Sequence, residues 1–218
     1  LGAIGYFQAR EDLTDAALQR RASIAFLTAT LLHERLDRLA DVGVALATRV
    51  RFRELIESGR WSEAAAILKD VPSNFSYIER IILADPAGTV KADIVEPSDI
   101  IGKNLASFDW YKGVSANWEP YVSEAFKAAS APHFIGVAIA VPIKSDTGAV
   151  LGIVAMQVVT DTLLEWAKDI DVGPGRFVYF TDQRGHLLAH PKFPAQTEIV
   201  DFSSAPAIAR ILRGESGT

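Results

Sequence analysis

Apolar residues recur at helical spacing through the first quarter of the chain. Positions 12–58 contain no proline and one glycine and are rich in Ala, Leu and Arg, which favours a long helix. One apolar stripe on this helix follows a heptad seam and consists of Leu18, Ala22, Ala25, Ala29, Leu32, Leu36, Leu39, Gly43, Leu46 and Val50. A second stripe consists of Leu13, Ala17, Ile24, Leu27 and Leu31. Two apolar stripes predict that the helix contacts two neighbours. These are either its own domain and the same helix of a second copy in a homodimer, or two elements of its own domain.

Beyond a break at Ser58-Gly59-Arg60 the apolar residues take up strand spacing. A short second helix is predicted at 61–68, ending before Pro72. Runs rich in Val and Ile then predict two β-hairpins, formed by 77–83 with 89–95 and by 134–143 with 150–159. Smaller elements are predicted around them: a helical turn at 104–114, a strand edge at 120–123, and short helices at 161–167 and 204–213. This order indicates the α+β class, with an antiparallel sheet flanked by helices on one face.

The first hairpin has a second copy 97 positions further along, counted from Asp85 to Asp182. In both copies an apolar run breaks at Asp-x-x-Gly, whose glycine supplies the positive φ of a tight turn, and resumes as apolar residues ending in Ala. The repeat predicts one module used twice. The second copy is expected to be incomplete, because only residues 190–218 follow it. We therefore expect three regions: a long helix at 1–58, a whole module at 59–172, and the start of a second module at 173–218, after the linker Gly173-Pro174-Gly175.

Charge and composition narrow the function classes. The chain has 218 residues, a net charge of −5 and a pI near 5.4, so it lacks the basic surface that nucleic-acid binding requires. It contains no cysteine, which excludes disulfides and thiolate chemistry. The apolar opening at positions 1–7, followed by polar residues, is typical either of the end of a membrane span or of an ordinary helix start.

The sequence shows no catalytic or metal-binding pattern. His186 and His190 are four residues apart, which in a strand separates them by about 13 Å, too far to share one metal. The chain has no nucleophile elbow and no phosphate-binding loop. We therefore predict a non-catalytic domain without a metal or cofactor.

An ordered set of short motifs resembles the double Cache family, the tandem PAS-like sensor domains of bacterial transmembrane receptors. The motifs are the long leading helix, Asp109-Trp110-Tyr111, Pro120-Tyr121-Val122-Ser123, Ile139-Ala140-Val141-Pro142-Ile143, Gly148 with Leu151-Gly152-Ile153, and 179–191. The resemblance implies two PAS-like modules, a periplasmic location and a membrane anchor in the full-length protein. It also implies a small-molecule site in the membrane-distal module, at about 59–172.

Amino-acid-binding members of that family carry a Tyr, an Arg-x-Trp, a second Tyr and an Asp. Trp110 and Tyr121 match this pattern, whereas Lys103, Phe108 and Gln157 stand where Tyr, Arg and Asp would be. Since each charge-assisted hydrogen bond contributes about 1.5–3 kcal/mol, losing both charged partners predicts a ligand that is neither an α-amino acid nor an amine. The candidate ligand-binding residues are Phe108, Trp110, Tyr111, Tyr121 and Gln157, with Lys103 or Lys112 for an anionic ligand. The aromatic residues equally suit a filled core.

Two classes of function follow from these patterns. The leading one is the ligand-sensing domain of a sensor histidine kinase, with a chemoreceptor or a cyclic-di-GMP enzyme as the alternative receptor. The other is a dimerisation or protein-docking module without a small-molecule ligand.

Overall fold

The computed structural model describes residues 2–130, 133–167, 170, 172–173, 175–193 and 198–215, with side chains from residue 13 onward except that of Ala167. The predicted linker residue Pro174, residue 1 and the side chains of the apolar N-terminal segment lie outside the described residues. The helices are α1 (Gly2–Ala47), α2 (Val50–Glu57), α3 (Trp61–Leu68), α4 (Val71–Asn74), α5 (Asp109–Asn117), α6 (Asp161–Ala167) and α7 (Pro206–Leu212). The strands are β1 (Ile78–Ala84), β2 (Val90–Asp93), β3 (Tyr121–Val122), β4 (Phe126–Lys127), β5 (Ile135–Lys144), β6 (Val150–Val159), β7 (Phe180–Thr181) and β8 (Leu187–Ala189).

The predicted long helix is two helices. α1 ends at Ala47, and Arg49 is extended at φ −62° and ψ 126° before α2 begins. The Thr48 hydroxyl donates to the Val44 carbonyl at 2.8 Å at the bend. The sequence gives no Gly or Pro signal here, and burial explains the break: Leu46 and Phe52, on either side of it, both pack into the core.

The main sheet is antiparallel, with strand order β2-β1-β6-β5-β3, and β4 also pairs with β5. Both predicted hairpins are confirmed, as β1 with β2 and β5 with β6. Gly43 of α1 allows a close approach to this sheet, because a Cβ there would lie 2.7 Å from Val141 and 2.8 Å from Met156. The heptad seam of the sequence therefore becomes, in its C-terminal half, a helix–sheet contact.

Helices cover both faces of the sheet, so the expectation of helices on one face is wrong. One face packs against α1, α2 and α3 through a large apolar core. The opposite face, which we call the α5 face, packs against α5 and the loops around it, and its strand residues include Ile82, Ala84, Ala138, Ala140 and Ala155. The alternation of strand residues explains this division, since β5, β6 and the C-terminal half of β1 are largely apolar on both sides.

The second copy of the Asp-x-x-Gly motif forms a smaller hairpin, β7 with β8. Its Gly185 has φ +84°, as Gly88 of the first hairpin has φ +82°. The predicted C-terminal helix is present as α7, shorter by a few residues than the sequence indicates. Three large apolar side chains of α1 are exposed, namely Leu13, Phe26 and Leu27.

Candidate functional site

The α5 face carries the predicted site residues on a floor of small side chains. Ala155 and Ala140 are register partners on β6 and β5, and Tyr121 of β3 lies opposite Ala140. Ala138, Ala140 and Ala155 have small side chains, so the centre of the face is shallow and the aromatic side chains of α5 reach over it.

Helix α5 presents the aromatic residues to this floor. Trp110 is 1% exposed, and its ring meets that of Tyr111 edge-on at 6.0 Å. The Tyr111 hydroxyl donates to the Pro86 carbonyl at 2.8 Å, which ties α5 to the turn of the first hairpin. Phe108 precedes the helix in an extended conformation and packs edge-on against Phe126 at 6.3 Å.

Tyr121 is fixed by two contacts with α5. Its hydroxyl donates to Asp109 Oδ2 at 3.1 Å, and its ring packs directly on Gly113, where a Cβ would lie 2.2 Å away. Burial and the neighbouring Asp109 carboxylate raise the pKa of Tyr121 to about 12. The phenol therefore stays protonated at physiological pH and acts as a hydrogen-bond donor.

Gln157 lies on the same face, between Arg80 of β1 and Ala138 of β5 in the sheet register. The residue is 5% exposed, and its side-chain Oε1 has no hydrogen-bond partner within the described part of the chain. A buried amide oxygen without a donor costs about 1–3 kcal/mol. The α5 face therefore contains a buried hydrogen-bond acceptor without a donor among the described residues.

A buried ion pair next to Gln157 was not predicted from the sequence. Arg80 Nε donates to Asp93 Oδ2 at 2.9 Å, and the two side chains are 5% and 0% exposed. The guanidinium also contacts Ser130 and Ser98, and the Ser98 hydroxyl donates to Asp93 Oδ2 at 2.6 Å. The available signal was a lone Arg inside the apolar run of β1, since an arginine buried in a sheet requires an acidic partner.

The structure brings the five uncharged candidate residues to the α5 face and leaves Lys103 apart from them. The Lys103 side chain is 53% exposed, and its ammonium lies 3.9 Å from the Asp99 carboxylate. Within the described residues no group of three or more His, Asp and Glu side chains is arranged to hold a metal. In the same part of the chain, no helix combines the length and the apolar character needed to cross a bilayer.

Residues 8–217 match the family model described as Cache domain. The chain belongs to the Cache domain family. Cache domains are non-catalytic, extracellular ligand-binding modules of membrane receptors, including chemoreceptors and histidine kinases, and the expectation that this domain is not an enzyme is confirmed.

A curated relative is the methyl-accepting chemotaxis protein McpA of Bacillus subtilis (strain 168), which is 27% identical over 143 residues. The match covers 64% of this chain and 19% of McpA, so the chain spans about one fifth of that receptor.

Two solved structures share the fold. The ligand-binding domain of the Pseudomonas aeruginosa PAO1 amino acid chemoreceptor PctB with L-Arg has TM-score 0.62 and 18% identity, covering 83% of this chain and 72% of that one. The sensor domain of the V. cholerae histidine kinase DctB has TM-score 0.55 and 17% identity, covering 71% of this chain and 60% of that one.

The prediction that the ligand is neither an α-amino acid nor an amine is wrong. PctB, which shares this fold, has been solved with L-Arg and also with L-Gln bound. The departures of Phe108 and Gln157 from the expected Arg and Asp did not justify excluding that ligand class.

Proposed function

We propose that this Cache domain is the extracytoplasmic sensor of a transmembrane receptor and that it binds a small molecule on the α5 face of the sheet. The observation that carries the proposal is the unpartnered Oε1 of Gln157 in a layer that also holds aromatic rings, aliphatic side chains and the buried Arg80–Asp93 pair. Such an oxygen requires an N–H or O–H donor. Small-molecule sites usually combine apolar walls with a few polar groups of this kind.

The proposed ligand class is small molecules with an amino or amide nitrogen, with amino acids as the first candidates. The Gln157 carbonyl would accept from the ligand nitrogen, and the Trp110 and Tyr121 rings would bound the ligand on either side. The complexes of PctB with L-Arg and L-Gln support this class. Gln157 carries no charge, so we expect weaker binding of an ammonium than a carboxylate would give.

The proposed parent receptor is a chemoreceptor. The likeness to McpA supports this assignment at the level of sequence, whereas DctB shares only the fold. A chimera in which this domain replaces the matching segment of McpA tests it. We expect a chemotactic response in B. subtilis to the ligand found by direct binding, and a chimera that is expressed but silent toward that ligand would contradict the assignment.

Direct binding is tested by thermal unfolding of the purified domain against the common L-amino acids, amines, organic acids and sugars. A ligand that binds only the folded state raises the midpoint by an amount that grows with its concentration. We expect an increase with at least one compound that carries a nitrogen donor. A panel in which only nitrogen-free compounds stabilise the domain would overturn the proposed role of Gln157.

A further inference from the structure

The turn between β7 and β8 contacts the segment that carries Tyr121. The Ala125 amide donates to Asp182 Oδ2 at 3.1 Å, and in return the Gln183 amide donates to Glu124 Oε2 at 3.1 Å. Arg184 Nη2 donates to Asp109 Oδ1 at 3.2 Å. Three hydrogen bonds therefore join the β7–β8 turn to the edge of the proposed ligand site.

Asp109 links the β7–β8 turn to the segment that carries Tyr121. Its Oδ1 accepts from Arg184, while its Oδ2 accepts from the Tyr121 hydroxyl at 3.1 Å and from the Glu124 amide at 2.9 Å. Asp109 also begins α5, so that Trp110 follows it directly in the chain. A displacement of Asp109 would thus move both aromatic residues proposed to bound the ligand.

Asp182 makes the turn rigid on its own side. Its side chain is 3% exposed, and its Oδ1 accepts from the Arg184 and His186 amides at 2.9 and 2.8 Å. Its Oδ2 accepts from the His186 ring at 2.9 Å and from Ala125 across the contact. A carboxylate with four N–H donors holds the whole turn in one geometry, so Arg184 is presented to Asp109 from a fixed backbone.

We propose that Arg184 and Asp182 are positioning residues of the ligand site on the α5 face: they hold Tyr121 and the 121–125 segment in place through Asp109 and Ala125. Neither residue touches the site itself. The proposal rests on the proposed function for the meaning of the site, but the three hydrogen bonds of the contact are present in this structure. By linkage, a ligand that shifts Tyr121 or Trp110 changes the strength of the same contact, so occupancy would be transmitted to the β7–β8 hairpin.

The first test needs no ligand. The Glu124 amide donates to Asp109 and not to the β7–β8 turn, although the Glu124 carboxylate accepts from Gln183 of that turn. Its hydrogen-exchange rate, measured in ¹⁵N-labelled protein, therefore reports how firmly Asp109 is held when Arg184 is removed. We expect Arg184→Ala to increase this rate at least about three-fold. Loss of a nearby positive charge alone slows base-catalysed exchange, so a faster rate reports a loosened structure. Arg184 is 62% exposed, and the variant should fold.

Arg210→Ala is the matched control, because Arg210 pairs with Glu215 within its own part of the chain. We expect the Glu124 amide to exchange in this variant as in the wild type. An unchanged rate in Arg184→Ala, or an equal increase in both variants, would overturn the positioning role.

The second test uses the amino acid that stabilises the domain most, with L-glutamine as the default probe, in isothermal titration. We expect Arg184→Ala to weaken binding up to about five-fold, since exposed ion pairs are weak, and Asp182→Asn to weaken it further. Arg210→Ala should bind as the wild type does. Equal affinity in Arg184→Ala and Arg210→Ala would refute the transmission to the ligand. If the wild type binds no member of the panel, the proposed function fails, and the exchange experiment still decides the positioning role.

Discussion

Gln157 on β6 and Arg80 on β1 are register partners on the same face of the sheet, but only the Arg80 side chain has its hydrogen-bond partners there. The Arg80 guanidinium bonds to Asp93, Ser98 and Ser130. The Gln157 Oε1, one strand away, has no partner among the described residues. The contrast between the fully bonded Arg80 and the unpartnered amide oxygen beside it supports the proposed site at Gln157.

Gln157→Leu should separate stability from function. Leucine removes the unpartnered oxygen at similar volume, so we expect the ligand-free domain to be stabilised by about 1–3 kcal/mol and the ligand-induced rise in melting temperature to be lost. Urea unfolding and thermal shift measure the two effects. Gln183→Leu, in the exposed turn, is the control and should change neither by a comparable amount. A Gln157→Leu domain that is less stable but binds normally would contradict the assignment of the site.

Gly113→Ala should destabilise the domain, whereas a change from glycine to alanine inside a helix usually stabilises a protein. Alanine normally stabilises a helix interior by about 1 kcal/mol relative to glycine. Here the added Cβ would lie 2.2 Å from ring carbons of Tyr121, so we expect a loss of about 1–3 kcal/mol together with weaker ligand binding. Urea unfolding checks the sign, with Ser115→Ala on the same helix as the control. A more stable Gly113→Ala variant would show that the ring moves aside without cost.

Removing one partner of the Arg80–Asp93 pair should destabilise the domain strongly, whereas replacing both residues by apolar ones should destabilise it less. Asp93→Ala leaves a guanidinium buried without its counter-ion, so we expect a loss of about 3–5 kcal/mol in the free energy of unfolding. The double variant Arg80→Met/Asp93→Leu should lose less than Asp93→Ala does. Lys69→Ala, which breaks the exposed pair with Glu96, should cost under about 1 kcal/mol. Equal losses for Asp93→Ala and Lys69→Ala would contradict the burial of the pair.

Two carboxyl groups at the β7–β8 contact have shifted pKa values, so their contribution to the stability of the domain depends on pH. Burial, reinforced by the Asp182 charge, raises the pKa of Glu124 above its ordinary 4.5. Burial alone would raise the pKa of Asp182, but hydrogen bonds from the His186 amide and ring and from Ala125 outweigh it and lower that pKa below 3.8. The raised pKa means that Glu124 contributes stability below pH 4.5 and loses it as the pH rises through that pKa. Asp182 contributes above pH 3.8 and loses its contribution as the pH falls through its lowered pKa.

Glu124→Gln keeps the neutral form of this side chain at every pH. We therefore expect its melting temperature, relative to the wild type, to rise between pH 4.5 and 7.5 by about 1–2 °C, a small effect because Glu124 is partly solvated. Thermal unfolding over that range measures the difference, with Glu119→Gln as an exposed control. A difference that stays constant with pH would show that Glu124 titrates as it does in the unfolded chain.

Local patterns predicted most of the secondary structure and part of the site. The turn glycines and the Val-rich runs located both hairpins, because strand alternation and turn geometry act over a few residues. Trp110 and Tyr121 were identified through a family resemblance, and the structure places them in the same layer. The α1–α2 break was missed, since no residue there disfavours a helix and only the position of the core selects the bend.

The sequence by itself determined the hairpins, the long helix, the repeated Asp-x-x-Gly turn and, through its resemblance, the Cache family. Only the tertiary structure decided that Asp93 neutralises Arg80, that Gln157 Oε1 is left bare, and that Arg184 reaches Asp109. These pairs lie 13 to 75 residues apart in the chain, and hydrogen bonds at that separation depend on strand register and module contact, which no local pattern of apolar and polar residues specifies.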